Sequence, residues 1–388
     1  METEFETCEL GEVATVRSGY AFDSKDWVEA GIPVIKIANV KDGRLVLDGC
    51  SFVTPDVAVE AQEFRLRVGD ILIAMTGYIG EVALVREDRH MMLNQRVGRF
   101  AIQQSDRLDP KFLFYILRHP DVRSEVENLG YGSAQPNVSP TLIHGVEIPV
   151  PPLAEQRAIA GVLGALDDKI ELNRRMNETL EAIARAEFRR MMEEGEQNNW
   201  AEDSLDNIAK FLNGLALQKF PASGDEFLPV IKIAQLRTGN TDGADRASVN
   251  IPQAYVVEDG DVLFSWSGSL EVVLWCGGRG ALNQHLFKVT SDKFPKWFYY
   301  LWTKQHLPEF QAIAADKATT MGHIQRHHLS EAAVLIPPHN KMKAMDARMS
   351  PLIEKIIANN LESRTLNELR DALLPKLLSG AVRVRVSQ

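Results

Sequence analysis

The residues able to do chemistry are few, and their spacing argues against catalysis in this chain. There is no Gly-Lys dipeptide, so the lysine that a P-loop places on nucleotide phosphates is missing. There is no Asn-Pro-Pro-aromatic sequence of the kind amino-methyltransferases use. The glycine-rich run 276–280 follows no clear strand-to-helix passage and reads as a surface turn. His323, His327 and His328 form the densest histidine cluster. Without a cysteine or carboxylate at ligand spacing, they read as a surface cluster and no metal is expected. Asp70 and Asp261 sit in matching Gly-Asp turns, where aspartate more often caps backbone than donates protons. No catalytic residue is assigned.

What the sequence does offer is recognition chemistry. In the first half, Lys41, Arg44, Arg65, Arg67, Tyr78 and Arg86 fall in expected loops, followed by Asn94, Gln95, Arg96, Gln135 and Asn137. The second half supplies Lys219, Arg237, Trp266, Arg279, Asn283, Gln284 and His285, then Lys317, Thr319, Thr320 and Gln325. Arginine and amide side chains can pair with base edges through two hydrogen bonds. Lysine and hydroxyl groups mainly hold phosphates. These are the candidate DNA contacts.

Such residues need a scaffold, and the sequence shows it twice. The hexapeptide PVIKIA at 33–38 recurs at 229–234. VGDILIAMTG at 68–77 is echoed by DGDVLFSWSG at 259–268, and Leu-Asn-Gln at 93–95 returns at 282–284. PKFLFYIL at 110–117 returns as PKWFYYLW at 295–302, and IPVPP at 148–152 as VLIPP at 334–338. Blocks repeated in the same order mean a tandem duplication of a mixed α/β domain followed by a long helix.

The first long helix is expected over 152–192, on the order of 55–60 Å. Ile159, Leu163, Leu166, Ile170, Asn173, Asn177, Leu180 and Ala184 alternate by threes and fours, the signature of a narrow seam that needs a partner helix. The second helix, ending near Leu378, offers Met349, Leu352, Ile356, Asn359, Leu366, Leu373 and Leu377. Asn359 stands as far beyond Pro337 as Asn173 stands beyond Pro151. Polar residues in a seam cost stability and fix register. The expected architecture is α+β: two pseudo-repeated mixed α/β domains joined by two long antiparallel helices in a coiled coil. The boundaries are 1–151, 152–196 (central helix), 197–338 and 339–388 (distal helix and tail).

Composition is ordinary for a soluble protein, with 45% hydrophobic and 25% charged residues. A net charge of −10 weighs against a wholly basic nucleic-acid binder, though a basic groove can sit on an acidic body. Three cysteines, Cys8, Cys50 and Cys276, are isolated and odd in number, which suggests a reducing, cytoplasmic setting. No signal peptide and no membrane span are expected.

The combination of Leu93-Asn94-Gln95, the run GSAQPN at 132–137 and the run IPVPPLAEQR at 148–157 leading into a long helix resembles the specificity (S) subunits of type I restriction-modification systems. The layout repeats, so the resemblance covers nearly the whole chain. It implies two target recognition domains, each reading one half of a split site in double-stranded DNA. It also implies helices that set the gap and dock two methyltransferase (M) subunits, joined by restriction (R) subunits. S-adenosylmethionine, ATP and magnesium would be bound by those partners and not by this chain. The second half departs from the pattern, carrying TTMGH at 319–323 and PPHNKM at 337–342, so its half-site is expected to differ. Two other classes stay open on the residues alone. One is a protein-binding coiled-coil scaffold, and the other is an enzyme with a divergent DNA-modifying or DNA-cleaving site.

Overall fold

The computed structural model describes residues 5–130, 136–193, 199–316 and 322–385. The chain divides into two compact units, one made of 1–168 with 368–388, the other of 169–367. Both long helices, Leu153–Glu193 and His339–Leu378, are therefore shared between units.

In unit 1 an antiparallel sheet runs Ala14–Ser18, Val97–Ile102, Ile71–Ala74, Val82–Leu84. Unit 2 builds the same sheet from Lys210–Asn213, Leu286–Thr290, Val262–Ser265 and Val272–Leu274. Ile71–Ala74 and Val262–Ser265 are buried along their whole length, which explains their unbroken apolar runs. A second sheet in each unit contains a parallel pair, Ile32–Ile35 with Met92–Leu93 and Leu228–Ile231 with Gly280–Leu282.

The β-branched run 32–40 would suit one continuous strand, but the strand it forms is shorter. It stops at Ile35, because the Asn39 carboxamide accepts from the Lys36 amide at 2.9 Å and donates to the Val46 carbonyl at 2.8 Å, closing a 3-10 turn over Ile37–Asn39. Gln235 accepts from the Lys232 amide at 3.2 Å at the equivalent place in unit 2, where a short helix follows.

The glycines that link the two sheets have a specific role. A Cβ on Gly19 would lie 2.4 Å from the Leu93 carbonyl oxygen, and one on Gly214 would lie 2.2 Å from that of Asn283. The chain passes from one sheet to the other only because nothing stands there. Gly19→Ala or Gly214→Ala is expected to destabilise its own unit by about 1–3 kcal/mol, read as a lower first or second midpoint in thermal unfolding.

The aromatic helix of unit 1, Pro110–Ile116, buries Phe112, Leu113 and Phe114 against Ile159 and Leu163 of the central helix. Leu374, Leu377 and Leu378 of the distal helix enter the same core. Gln156 fixes the start of the central helix. It is fully buried, donates to the Arg107 and Pro151 carbonyls at 2.7 Å, and accepts from the Asp109 amide at 2.8 Å. Unit 2 has Met342 at this position, an apolar plug in place of the amide. Its core gathers Trp297, Phe298, Phe264 and Phe310 with Ala184 and Phe188 from one helix and Met349, Ile353 and Ile356 from the other.

Within unit 2 the two helices run antiparallel. Asn173 Nδ2 donates to the Asn359 carbonyl (3.3 Å), to Glu362 Oε2 (2.9 Å) and to Ser363 Oγ (3.3 Å). Asn177 Nδ2 donates to the Ile356 carbonyl (3.3 Å) and to Asn360 Oδ1 (2.7 Å), while Asn359 Nδ2 donates to Asn177 Oδ1 at 2.8 Å. Asn173 and Asn359 have no exposed surface. The seam shifts at its flanks. Leu166, Leu352 and Leu373 are only half-buried, and Asp167, Ile353 and Leu374 occupy the buried positions beside them. Ile170, Leu180 and Leu366 are half-buried. The reason is that each helix packs against the sheet-bearing part of a unit as well as against a helix, which turns its buried stripe by one residue.

Candidate nucleic-acid interface

Unit 1 carries an open cleft of about 530 Å³, lined by Ser18, Met75, Thr76, Gln95, Arg96 and Asn137, with residues 138–140. Local hydrogen bonds hold the frame. The Asn94 carboxamide oxygen accepts from the Arg96 amide at 3.3 Å and its carbonyl from the Val97 amide at 3.0 Å, so the Asn-Gln-Arg turn is tight. Thr76 Oγ1 donates to Asn137 Oδ1 at 2.7 Å. Gln95 and Arg96 are exposed, with their polar ends free to meet a ligand.

Unit 2 builds the same frame. Asn283 Oδ1 accepts from the His285 amide at 3.2 Å, and the Asn283 carbonyl from the Leu286 amide at 3.0 Å. Thr76 bridges to Asn137 in one unit, and Ser267 bridges to His323 in the other. Gln95 and Gln284 match, but the other side chains on this common frame differ: Asn213 for Ser18, Trp266 for Met75, His285 for Arg96, His323 for Asn137. Trp266 lies 5.7 Å from the His285 ring and 6.4 Å from the His323 ring, and its Nε1 donates to Asn213 Oδ1 at 2.9 Å.

The structure thus brings Gln95, Arg96 and Asn137 together, and Trp266, Gln284 and His285 together. Asn94 and Asn283 serve the turns. Lys41, Arg44, Arg65, Arg67 and Tyr78 are exposed but do not line the unit 1 cleft; Lys41 sits over the Tyr78 ring at 5.9 Å. Arg86 faces the central helix, pairing with Asp168 at 2.6 Å and lying 3.8 Å from Asp167. Arg237 pairs with Glu271 at 3.4 Å and Arg279 with Glu258 at 3.2 Å, while Lys219 and Gln325 are exposed. Gln135, Lys317, Thr319 and Thr320 lie outside the described residues.

Sequence reasoning passed over Ser18, Thr76, Asn213 and Ser267. The usable signal was their position next to a repeated glycine, at Ser18-Gly19 with Asn213-Gly214 and at Thr76-Gly77 with Ser267-Gly268.

Asp70 Oδ2 accepts from the Arg67 amide at 2.9 Å and Asp261 Oδ2 from the Glu258 amide at 2.8 Å, so both aspartates cap their turns. The histidine cluster requires a correction: a carboxylate does accompany it. Ligand atoms of His327, His328 and Glu331 lie within 4.8 Å of one another. The site is nonetheless a poor one for a cation. His328 Nδ1 accepts from the Gln325 amide at 3.0 Å, which keeps the imidazole proton on Nε2 and leaves that residue no free lone pair.

A second feature of unit 1 is a buried carboxylate. Asp167, 7% exposed, accepts from Tyr115 Oη (3.0 Å) and Arg118 Nη1 (3.1 Å) on one oxygen and from Arg370 Nη1 (2.8 Å) on the other. Burial pushes this carboxyl upward, but Arg118 and Arg370 outweigh it and hold it below the usual carboxylate range. Unit 2 has Ile353, Tyr300, Thr303 and Ala184 in the matching places, an uncharged layer whose Thr303 hydroxyl donates to the Tyr299 carbonyl at 2.6 Å.

Comparison with known proteins decides the family. The family model described as the type I restriction modification DNA specificity domain matches residues 2–182 and again 197–370. The chain belongs to that family. It is 33% identical to the type I restriction enzyme MjaVIII specificity subunit of Methanocaldococcus jannaschii, over 46% of this chain and 43% of that one. It is 26% identical to the MjaIX specificity subunit of the same organism, over 83% of this chain and 80% of that one. The crystal structure of a type I restriction-modification S subunit from M. genitalium superposes with a TM-score of 0.59 at 16% identity, covering 97% and 96% of the two chains, and shares the fold. Among the described residues no helix is long and apolar enough to cross a membrane.

Proposed function

We propose that this chain is the non-catalytic DNA specificity subunit of a type I restriction-modification complex, and that each unit reads one half of a bipartite site. The observation that carries this reading is one backbone frame built twice, with a shared glutamine and otherwise different side chains. A catalytic duplication would keep its reacting groups identical. A reader of two different half-sites would keep the frame and change the surface, and that is the pattern here. The amide-and-guanidinium set of Gln95, Arg96 and Asn137 suits base edges.

In this reading the paired helices form a coiled coil that sets the gap between half-sites and docks two methyltransferase subunits. Buried Asn173, Asn177 and Asn359 hold its register. S-adenosylmethionine, ATP and magnesium act on the methyltransferase and restriction subunits, and the complex works in the cytoplasm.

The test is sequencing of methylated DNA from cells carrying the chain with its partner methyltransferase. Arg96→Ala together with Asn137→Ala is expected to relax or abolish one half of the methylated sequence, with about 1–3 kcal/mol lost per base contact, and to leave the other half intact. Loss of specificity in both halves at once would overturn the assignment of one half-site to each unit. DNA affinity of the isolated chain should fall steeply with salt; affinity indifferent to salt would point to a protein scaffold.

A further inference from the structure

The unit 2 frame differs from its unit 1 counterpart in one chemical respect. Its donors titrate. Arg96 of unit 1 is charged at any working pH, and Asn137 is neutral at any pH. Their counterparts are His285 and His323, the side chain whose ordinary titration falls near neutrality.

The contacts of His285 make its protonation state matter. Ser267 Oγ lies 3.0 Å from Nδ1, and the Gln284 amide nitrogen lies 3.4 Å from Nε2. A donor facing Nε2 favours the tautomer with its proton on Nδ1, directed to the serine hydroxyl. In that neutral form Nε2 can only accept. A DNA phosphate oxygen, or the O6 and N7 atoms of guanine, are acceptors too. In that tautomer Nε2 donates to them only after it takes a proton. His323 is exposed, is joined to the same place by its bridge to Ser267, and stands edge-on to Trp266.

The other charged and titratable groups around the frame come from the helix Arg326–Glu331 and from neighbouring strands. Arg326 sits over Phe287 at 5.6 Å and donates to the Phe211 carbonyl at 3.1 Å. His327, His328 and Glu331 follow on that helix. Lys288 is paired with Asp261 at 2.7 Å, and Glu271 with Arg237 at 3.4 Å. The Trp266 ring is within 6.4 Å of both imidazoles.

We propose that unit 2 engages acceptor atoms of DNA through protonated imidazoles of His285 and His323, so that its half of the complex takes up protons on binding while the unit 1 half does not. This rests on the DNA-reading function proposed above. The two half-sites would then respond differently to pH, although one frame presents both.

The experiment is calorimetric titration of the full chain with a mixed-sequence duplex near neutral pH, in two buffers of different ionisation enthalpy. The expected result is uptake of about one proton per chain, with affinity falling about tenfold between mildly acidic and mildly alkaline solution. His285→Arg with His323→Asn, which installs the unit 1 residues, should abolish the uptake and flatten the pH dependence. Repeating the titration with poly(dA·dT) and poly(dG·dC) duplexes separates the acceptors. Uptake on both indicates an acceptor that every base pair offers, a phosphate oxygen or a purine N7, and uptake on the second alone indicates the guanine edge. Binding by the unmodified chain without proton uptake overturns the inference, and so does uptake that persists in the double variant. No binding at any pH would instead overturn the DNA-reading function.

Discussion

Asp167→Ala is expected to cost unit 1 about 3–5 kcal/mol, the usual loss when one partner of a buried ion pair is removed. The carboxylate is the common acceptor of Tyr115, Arg118 and Arg370. Without it Arg118, 14% exposed, loses its carboxylate partner, and Arg370, 12% exposed, keeps only Asp371 at 2.8 Å. Arg370→Ala should cost less, because Arg118 and Tyr115 still hold the carboxylate.

The decisive variant combines Asp167→Ile, Arg118→Thr and Arg370→Ala. It copies the layer that unit 2 already uses, with Ile353, Thr303 and Ala184. A buried charge network replaced by packed apolar groups is often neutral in stability, so the triple variant should recover most of the loss. Unfolding followed by calorimetry reads all three. A triple variant no more stable than Asp167→Ala would show that the cluster is not replaceable by the unit 2 solution.

The pH dependence follows from the depressed carboxyl. A folded pKa below the unfolded value, near 3.9 for aspartate, means the contribution is fully present above about pH 4 and is lost as pH falls through the lower folded value. The triple variant should therefore lose less stability on acidification than the unmodified chain.

The duplication was legible because its blocks are backbone features. Gly19 and Gly214 at a close approach, Asp70 and Asp261 capping turns, and Asn94 and Asn283 closing tight turns all demand one residue type, so both copies keep it. The cleft residues were only partly legible. Gln95 and Arg96 stood beside a repeated asparagine, whereas Ser18 and Thr76 are ordinary residue types whose role depends on two sheets meeting. Arg86 looked like a loop cation until the fold set it against Asp168. Asp167 was invisible to a seam read from apolar spacing, because a carboxylate in a helical stripe is indistinguishable from a surface one until its three donors arrive from distant parts of the chain. The register shift to Ile353 and Leu374 has the same origin. A two-helix pattern cannot anticipate the domain that packs on its flank.

Four residues inserted into the central helix should lengthen the gap in the methylated site by about one base pair and leave both half-sequences unchanged. The position matters. Met192, near the end of the helix, is buried with Ala184 and Phe188 in the unit 2 core, so an insertion there would disturb that core. The step between Asp168 and Lys169 is better, because there the helix leaves one unit and joins the other. Four residues add about one turn, or roughly 6 Å, and turn the following face by only about 40°. DNA rises about 3.4 Å per base pair, so the added length corresponds to one or two pairs. The partner helix keeps its own length, and the buried amide contacts of Asn173 and Asn177 with residues 356–363 resist slippage, which favours the smaller figure. Two inserted residues would instead rotate unit 2 by about 200° about the helix axis and should abolish methylation of any split site. Sequencing the methylated DNA of cells carrying each variant reads both outcomes. Full activity with an unchanged gap after the four-residue insertion would show that the helix is not the ruler, and that the separation of the half-sites is set by the partner subunits.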